Sequence, residues 1–227
     1  MTPTPLSCRE RPAKPPLSRD AIVDVALRLM DADGLERLTM RKLAAALDTG
    51  PASLYVYVRN TAELHAAILD RLLLDLEPPV EGDWRERLVA QFSGYTELLF
   101  RHPGLARSLV AVRPTGPQFL AFVDRALGEL HRGHVPARQA AWGVDLLLQL
   151  ATATAAEQAT RRDSPDTDDA VEQDAVRHHD GDLVHLDRVG EELFSGTGRD
   201  RLRWALRALL HGIVAVTPTR GVSPALP

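Results

Sequence analysis

A single cysteine, Cys8, is all the sequence contains. No disulfide framework and no multi-cysteine metal site is therefore possible within one chain, and a reducing compartment is the expected setting. Long apolar runs are missing too. The strongest, Ala208 to Val216, is interrupted by His211 and falls far short of the roughly 20 residues that span a bilayer. No apolar stretch near the N-terminus resembles a signal sequence. A cytoplasmic protein with no membrane partner is the expectation. Alternating apolar and polar positions of the kind that build half-buried strands are scarce, and neither a Gly-rich phosphate loop nor a nucleophile elbow is present. Catalysis has no support in the sequence, so no enzyme, no cofactor and no metal is expected.

What remains is helical. The 227 residues are 44% hydrophobic, enough for a small domain and a larger one with separate cores. The net charge of -4 is unevenly spread. Arg9, Arg11, Lys14, Arg19, Arg28, Arg37, Arg41, Lys42 and Arg59 gather before residue 60, and Asp163, Asp166, Asp168, Asp169, Glu172 and Asp174 gather far downstream. A basic end facing nucleic acid and an acidic body fit that pattern.

Five prolines between Pro3 and Pro16 make residues 1–17 a flexible arm. From Ser18, a good N-cap, apolar residues recur at helical spacing through Met30, and Gly34 supplies the stop. Thr39 caps a short second helix ending at Leu47. Pro51 suits the first position of a third, because its missing amide hydrogen would have no partner there. Asn60 to Glu63 is close to a capping box for a fourth, which Pro78 and Pro79 end. Further helices are predicted over 83–101, 103–112, 116–131, 136–161, 183–194 and 199–216. The acidic stretch 162–182 is expected to be a mobile loop. The resulting all-α plan has an arm (1–17), a domain of three short helices (18–62), a larger helical domain (63–217), and a tail (218–227).

The segment LTMRKLAAALDTGPASLYVYVRN, residues 38–60, carries the DNA expectation. Leu43, Leu47, Leu54 and Val58 hold one side as core, leaving the other to enter a major groove. Arg41 sits in the first turn of helix two, where its fork of donors reaches guanine or bridges phosphates. Ser53, Tyr55, Tyr57 and Arg59 lie in helix three or at its end, and small Pro51 and Ala52 permit close approach. Ordinary surface residues on a three-helix bundle would give the same periodicity. The segment resembles the signature of the tetracycline-repressor (TetR) family, and with AIVDVALRLMDADGLERL before it and Glu63-Leu64 after it the likeness covers roughly Leu17 to Leu76. The resemblance implies phosphate contacts from Thr39, Tyr55 and Tyr57, base readout by Arg41 and the start of helix three, and core roles for Leu43, Leu54 and Val58. One short recognition helix reads too few base pairs to pick a site from a genome, so a homodimer on an inverted-repeat operator is expected. Asp48 replaces the glycine that usually closes helix two, and Thr61 replaces a frequent phosphate-gripping lysine.

Trp84 and LLFRHPGLARSLVAVRPT, residues 98–115, extend the resemblance to the C-terminal domain of tetracycline-repressor-like proteins. It places Gln91, Tyr95, Phe122 and Arg125 at ligand-contacting positions, and Trp142 joins them as a further aromatic wall. Core packing is the alternative for each aromatic. Asp145 and Gln149 are additional polar candidates. Leu109 stands where a metal-holding histidine is expected and has no lone pair, so a magnesium-dependent effector is not implied. Leu146, Leu150, Leu206, Leu209 and Ile213 are candidates for a two-chain four-helix interface, although each could instead be buried within one subunit. Two other functions remain to be weighed. One is a metal-dependent enzyme using His178, His179 and Asp180, with His185 and Asp187 following; the other is a ligand-independent architectural DNA binder, which would not require the large second domain.

Overall fold

The computed structural model describes residues 16–163, 169–179 and 181–218. Most of the expected arm and tail, part of the acidic stretch, and Asp180 lie outside the described residues. All regular elements among the described residues are helical. The chain divides into two compact units, Met1–Leu64 and His65–Pro227.

In the first unit, α1 (Arg19–Asp33) starts where Ser18 Oγ accepts the Ala21 amide at 3.1 Å. It stops at Gly34, whose φ of +82° a residue with a Cβ would strain to adopt. A 3₁₀ turn, Leu35–Arg37, leads to α2 (Met40–Ala46), and Thr39 Oγ1 caps it by accepting the Lys42 amide at 3.1 Å. Such a cap is worth about 1 kcal/mol. Asp48 follows with φ +49°. It takes the left-handed conformation that a glycine would take, at the modest cost that Asp tolerates best among residues with side chains. The substitution noted in the sequence therefore keeps a left-handed turn. Helix α3 (Pro51–Leu54) opens on its proline and lasts one turn. Ile22, Val23, Ala26, Met30, Leu35, Leu38, Leu43, Ala44, Leu54 and Val58 form the buried core.

Helix α4 (Thr61–Leu72) starts in the first unit and ends in the second, tightening into a 3₁₀ turn at Leu73–Asp75. Asn60 Oδ1 accepts the Glu63 amide at 2.8 Å, but Glu63 reaches back to the Arg59 amide, one residue earlier than a strict capping box requires. The second unit continues with α5 (Trp84–Arg101), α6 (Pro103–Leu109), α7 (Pro117–Arg132), α8 (Ala137–Asp163), α9 (Asp169–Arg177), α10 (Val184–Val189) and α11 (Gly198–Ala215). Capping boxes start α5 (Asp83 with Glu86) and α11 (Thr197 with Asp200). Helix α8 packs on α5, α6, α7 and α11, and α5 also packs on α7 and α11. At the α8–α11 crossing, Gly143 leaves no room for a side chain: a Cβ there would lie 2.7 Å from Ile213.

Three expectations are corrected. The stretch expected as a loop over 162–182 holds α9, and α8 runs two residues past its predicted end. The predicted helix at 183–194 is α10 followed by a 3₁₀ turn, broken at Gly190 with φ +50°. Leu206 and Ile213, assigned to a two-chain interface, are buried within the unit, and Leu209 is half-buried. Their period matched either role, and packing on α5 and α8 decided it.

Candidate nucleic-acid interface and ligand-binding core

Helices α2 and α3 pack together through Leu43, Ala44 and Leu54, all buried. Their outward positions are polar or small. Thr39, Arg41, Pro51, Ala52 and Ser53 are exposed. Tyr55, at the end of α3, is 50% exposed although it is a large aromatic. Tyr57 is half-buried. Because α3 ends at Leu54, Tyr57 and Arg59 lie in the turn beyond it and not on the helix. Arg59 is the most constrained candidate. Its Nε donates to Glu63 Oε2 at 3.0 Å and its amide donates to the same oxygen at 2.8 Å, while Arg19 stands 3.8 Å from the other Glu63 oxygen. These donors hold the Glu63 carboxyl below its usual range, the Arg59 amide contributing most. Lys42 is spent in another pair, bridging to Asp33 at the end of α1. Arg41 is exposed in the first turn of α2.

The second unit gathers three of its candidates. Gln91 Nε2 on α5 donates to the Phe122 carbonyl of α7 at 2.8 Å. The Phe122 ring sits 5.3 Å from that of Tyr95 and 5.4 Å from that of Phe92, edge-on to the latter. Such geometry adds about 0.5–1.5 kcal/mol beyond burial. Tyr95 and Thr152 of α8 bring their hydroxyls to 3.3 Å. Burial raises the Tyr95 phenol above its ordinary value, with the Thr152 hydrogen bond opposing. Arg125, one turn beyond Phe122, is half-buried and its Nε is buried without a hydrogen-bond partner. A buried donor left unmatched costs about 1–3 kcal/mol, which an acceptor on a bound molecule would recover.

Trp142 does not join them. It is 57% exposed on α8, because the buried stripe of that helix runs through Gly143, Val144 and Leu147 instead. Asp145 pairs with Arg113 and accepts from Gln149, so these two polar candidates satisfy each other at the surface. Leu109 is buried core. Phe92 and Thr152 were missed by the sequence reading; polar Thr152 within the small-residue run of α8 was the available signal. Trp142 and Leu146 on α8, and Trp204 and Val214 on α11, are exposed apolar residues on two helices that pack together, with Trp204 73% exposed.

His178 and His179, candidates for a metal, pair with different carboxylates. His178 pairs with Asp174 at 3.0 Å and His179 with Asp187 at 3.1 Å, while His185 is exposed. Among the described residues no group of three or more such side chains is placed to hold a metal ion. Nor is any described helix long and apolar enough to cross a membrane.

Comparison with known proteins places these features among relatives. Residues 22–68 match the model for bacterial regulatory proteins of the tetR family, and residues 77–217 match the tetracyclin repressor-like C-terminal domain. The HTH-type transcriptional repressor DrrR1 of Streptomyces coeruleorubidus is 38% identical over 120 residues, which is 52% of this chain and 44% of that protein. Tetracycline repressor protein class E of Escherichia coli is 36% identical over 107 residues, 45% of this chain and 51% of that one. The chain spans about half the length of the curated relatives it matches. Among solved structures, SCO7704 of Streptomyces coelicolor, a candidate transcription regulator, superposes with a TM-score of 0.80 at 50% identity, covering 92% of this chain and all of that one. The TetR family protein ActR of Streptomyces coelicolor, solved with actinorhodin, superposes with a TM-score of 0.74 at 31% identity, covering 88% of this chain and 97% of that one.

Proposed function

Because the chain belongs to the tetR family of bacterial regulatory proteins, we propose that it is a cytoplasmic, sequence-specific DNA-binding repressor that a small molecule releases from a palindromic operator. The observation that carries this reading is the division of α2 and α3 into a buried apolar side and an exposed side bearing Arg41, Ser53 and Tyr55. A short helix pair of that kind fits a major groove, where Arg41 reads a base edge and Thr39, Tyr55 and Tyr57 fix the register on phosphates. Arg59 serves only if it exchanges Glu63 for phosphate.

One such pair reads too few base pairs to select a genomic site, so the operator is read by two copies. The exposed Trp142, Leu146, Trp204 and Val214 support a two-fold dimer in which α8 and α11 pair with the same helices of the second copy. Trp142 belongs to this dimer surface and not to the ligand-contacting residues. The effector occupies the region of Gln91, Tyr95, Phe122 and Arg125. It is mostly apolar and presents an acceptor to the Arg125 guanidinium. Actinorhodin, bound to ActR, is a suitable first probe.

The test is selection of bound duplexes from a genomic fragment pool, followed by titration of the selected duplex with and without actinorhodin. An enriched inverted repeat is expected. Absence of any enriched sequence would overturn the regulator reading, whereas an enriched repeat that actinorhodin does not release would remove only that compound.

A further inference from the structure

The N-cap position of helix α7 is Gly116, a residue with no side chain to cap it. The acceptor comes from far away in the chain. Asp70 Oδ1, on α4, accepts the Phe119 amide at 2.8 Å across a separation of 49 residues. Phe119 is the third residue of α7, and its amide is one that an N-cap side chain ordinarily satisfies. Asp70 is only 8% exposed. Gly116 makes the room it needs: a Cβ there would lie 2.3 Å from the Asp70 carboxyl carbon. With φ at -70°, glycine is required here by space and not by backbone handedness. The helix dipole favours a carboxylate at this end.

A cap supplied by residue 116 would hold α7 wherever α4 stood. A cap supplied by Asp70 holds it only while α4 stays in place. Phe122 and Arg125 follow within two turns of the capped end, and Phe122 is the residue that Gln91 and Tyr95 contact. A second polar link leaves the same helix, from His65 Nδ1 to Ser108 Oγ on α6 at 2.6 Å. Helix α4 is unbroken from Thr61, in the first unit, to Leu72.

We infer that Asp70 is a positioning residue: by capping α7 from α4, it couples the placement of Phe122 and Arg125 to the helix that enters the DNA-reading unit. This inference rests on the regulator reading for what α4 connects. Coupling of this kind is reciprocal, so duplex binding at one end must change the start of α7 at the other.

Amide hydrogen exchange on the full chain tests it, in the wild type, D70N, D70A and D70A/G116S, each alone and with the selected duplex. The last variant gives α7 a local serine cap in the space the carboxylate vacates. D70A should speed exchange at Phe119–Phe122 about tenfold, D70N should retain protection through its amide oxygen, and D70A/G116S should recover it. On adding duplex, exchange at the start of α7 should change at least about threefold in the wild type and D70N. It should stay unchanged in D70A/G116S even though that variant binds. Should D70A fail to fold, D70A/G116S carries the test, since α7 keeps a cap. A wild-type response in D70A/G116S would reduce Asp70 to a cap and overturn the inference. So would a wild type that binds duplex with no change in α7, and that result would leave the regulator reading intact. If no duplex binds, the regulator reading fails, and exchange in α4 decides the coupling: protection over residues 65–72 should fall in D70A and remain low in D70A/G116S, and its recovery there would overturn the inference.

Discussion

The two units of this protein use their tyrosines and polar side chains in opposite ways. In the first unit Tyr55 is half exposed, and the defining hydrogen bonds are local: Ser18 to Ala21, Thr39 to Lys42 and Asn60 to Glu63 each span three residues. In the second, Tyr95 is buried and the bonds that shape its surroundings join distant segments: Gln91 to Phe122 across 31 residues, Tyr95 to Thr152 across 57 and Asp70 to Phe119 across 49. A surface that meets DNA has only to be presented, and local caps suffice to present it. A buried core has to be enclosed by several helices.

The sharpest test of that contrast is truncation. Phe122→Ala removes a fully buried ring that touches Tyr95 and Phe92, and should lower unfolding stability by about 3–5 kcal/mol in denaturant titration. Tyr55→Ala should stay within about 0.5 kcal/mol by the same measurement. Equal losses would mean that Tyr55 is structural and that the exposed side of α3 is not a binding surface.

A smaller effect is expected on the DNA side. Arg41→Ala should relax discrimination at one base pair by roughly 1–3 kcal/mol, whereas Tyr57→Ala should weaken all sequences about equally. Competition titrations with single-base variants of the selected duplex would separate the two, and uniform weakening by Arg41→Ala would move base readout elsewhere. Trp204→Glu, on the exposed apolar side of α11, should shift sedimentation from dimer to monomer while leaving the fold intact, because the side chain is exposed in the single chain. A stable dimer of that variant would place the interface on another face.

The smallest effect concerns pH. Glu63 titrates below its ordinary value in the folded chain, so its contribution is present above the unfolded carboxyl value of about 4.3 and is lost as pH falls through the depressed one. Glu63→Gln should flatten that acid limb by no more than about 1 kcal/mol, since its pairs with Arg59 and Arg19 lie near the surface. An unchanged slope in acid denaturation would show that the Arg59 contact has no energetic weight in solution.

The sequence by itself determined the helical class, the caps at Ser18 and Thr39, the proline start of α3 and the exposed set on α2 and α3. Each depends on residues three or four positions apart, whose relation a helix fixes in advance. Only the tertiary structure decided the rest. It buried Leu206 and Ile213 and left Trp142 and Trp204 outside. It set a helix inside the acidic stretch, and it paired Arg59 with Glu63. It also brought Asp70 to the bare end of α7 beside Gly116. Helical period marks which side of a helix is apolar, but not which neighbour covers it. A carboxylate 49 residues from the amide it caps leaves no mark in local spacing.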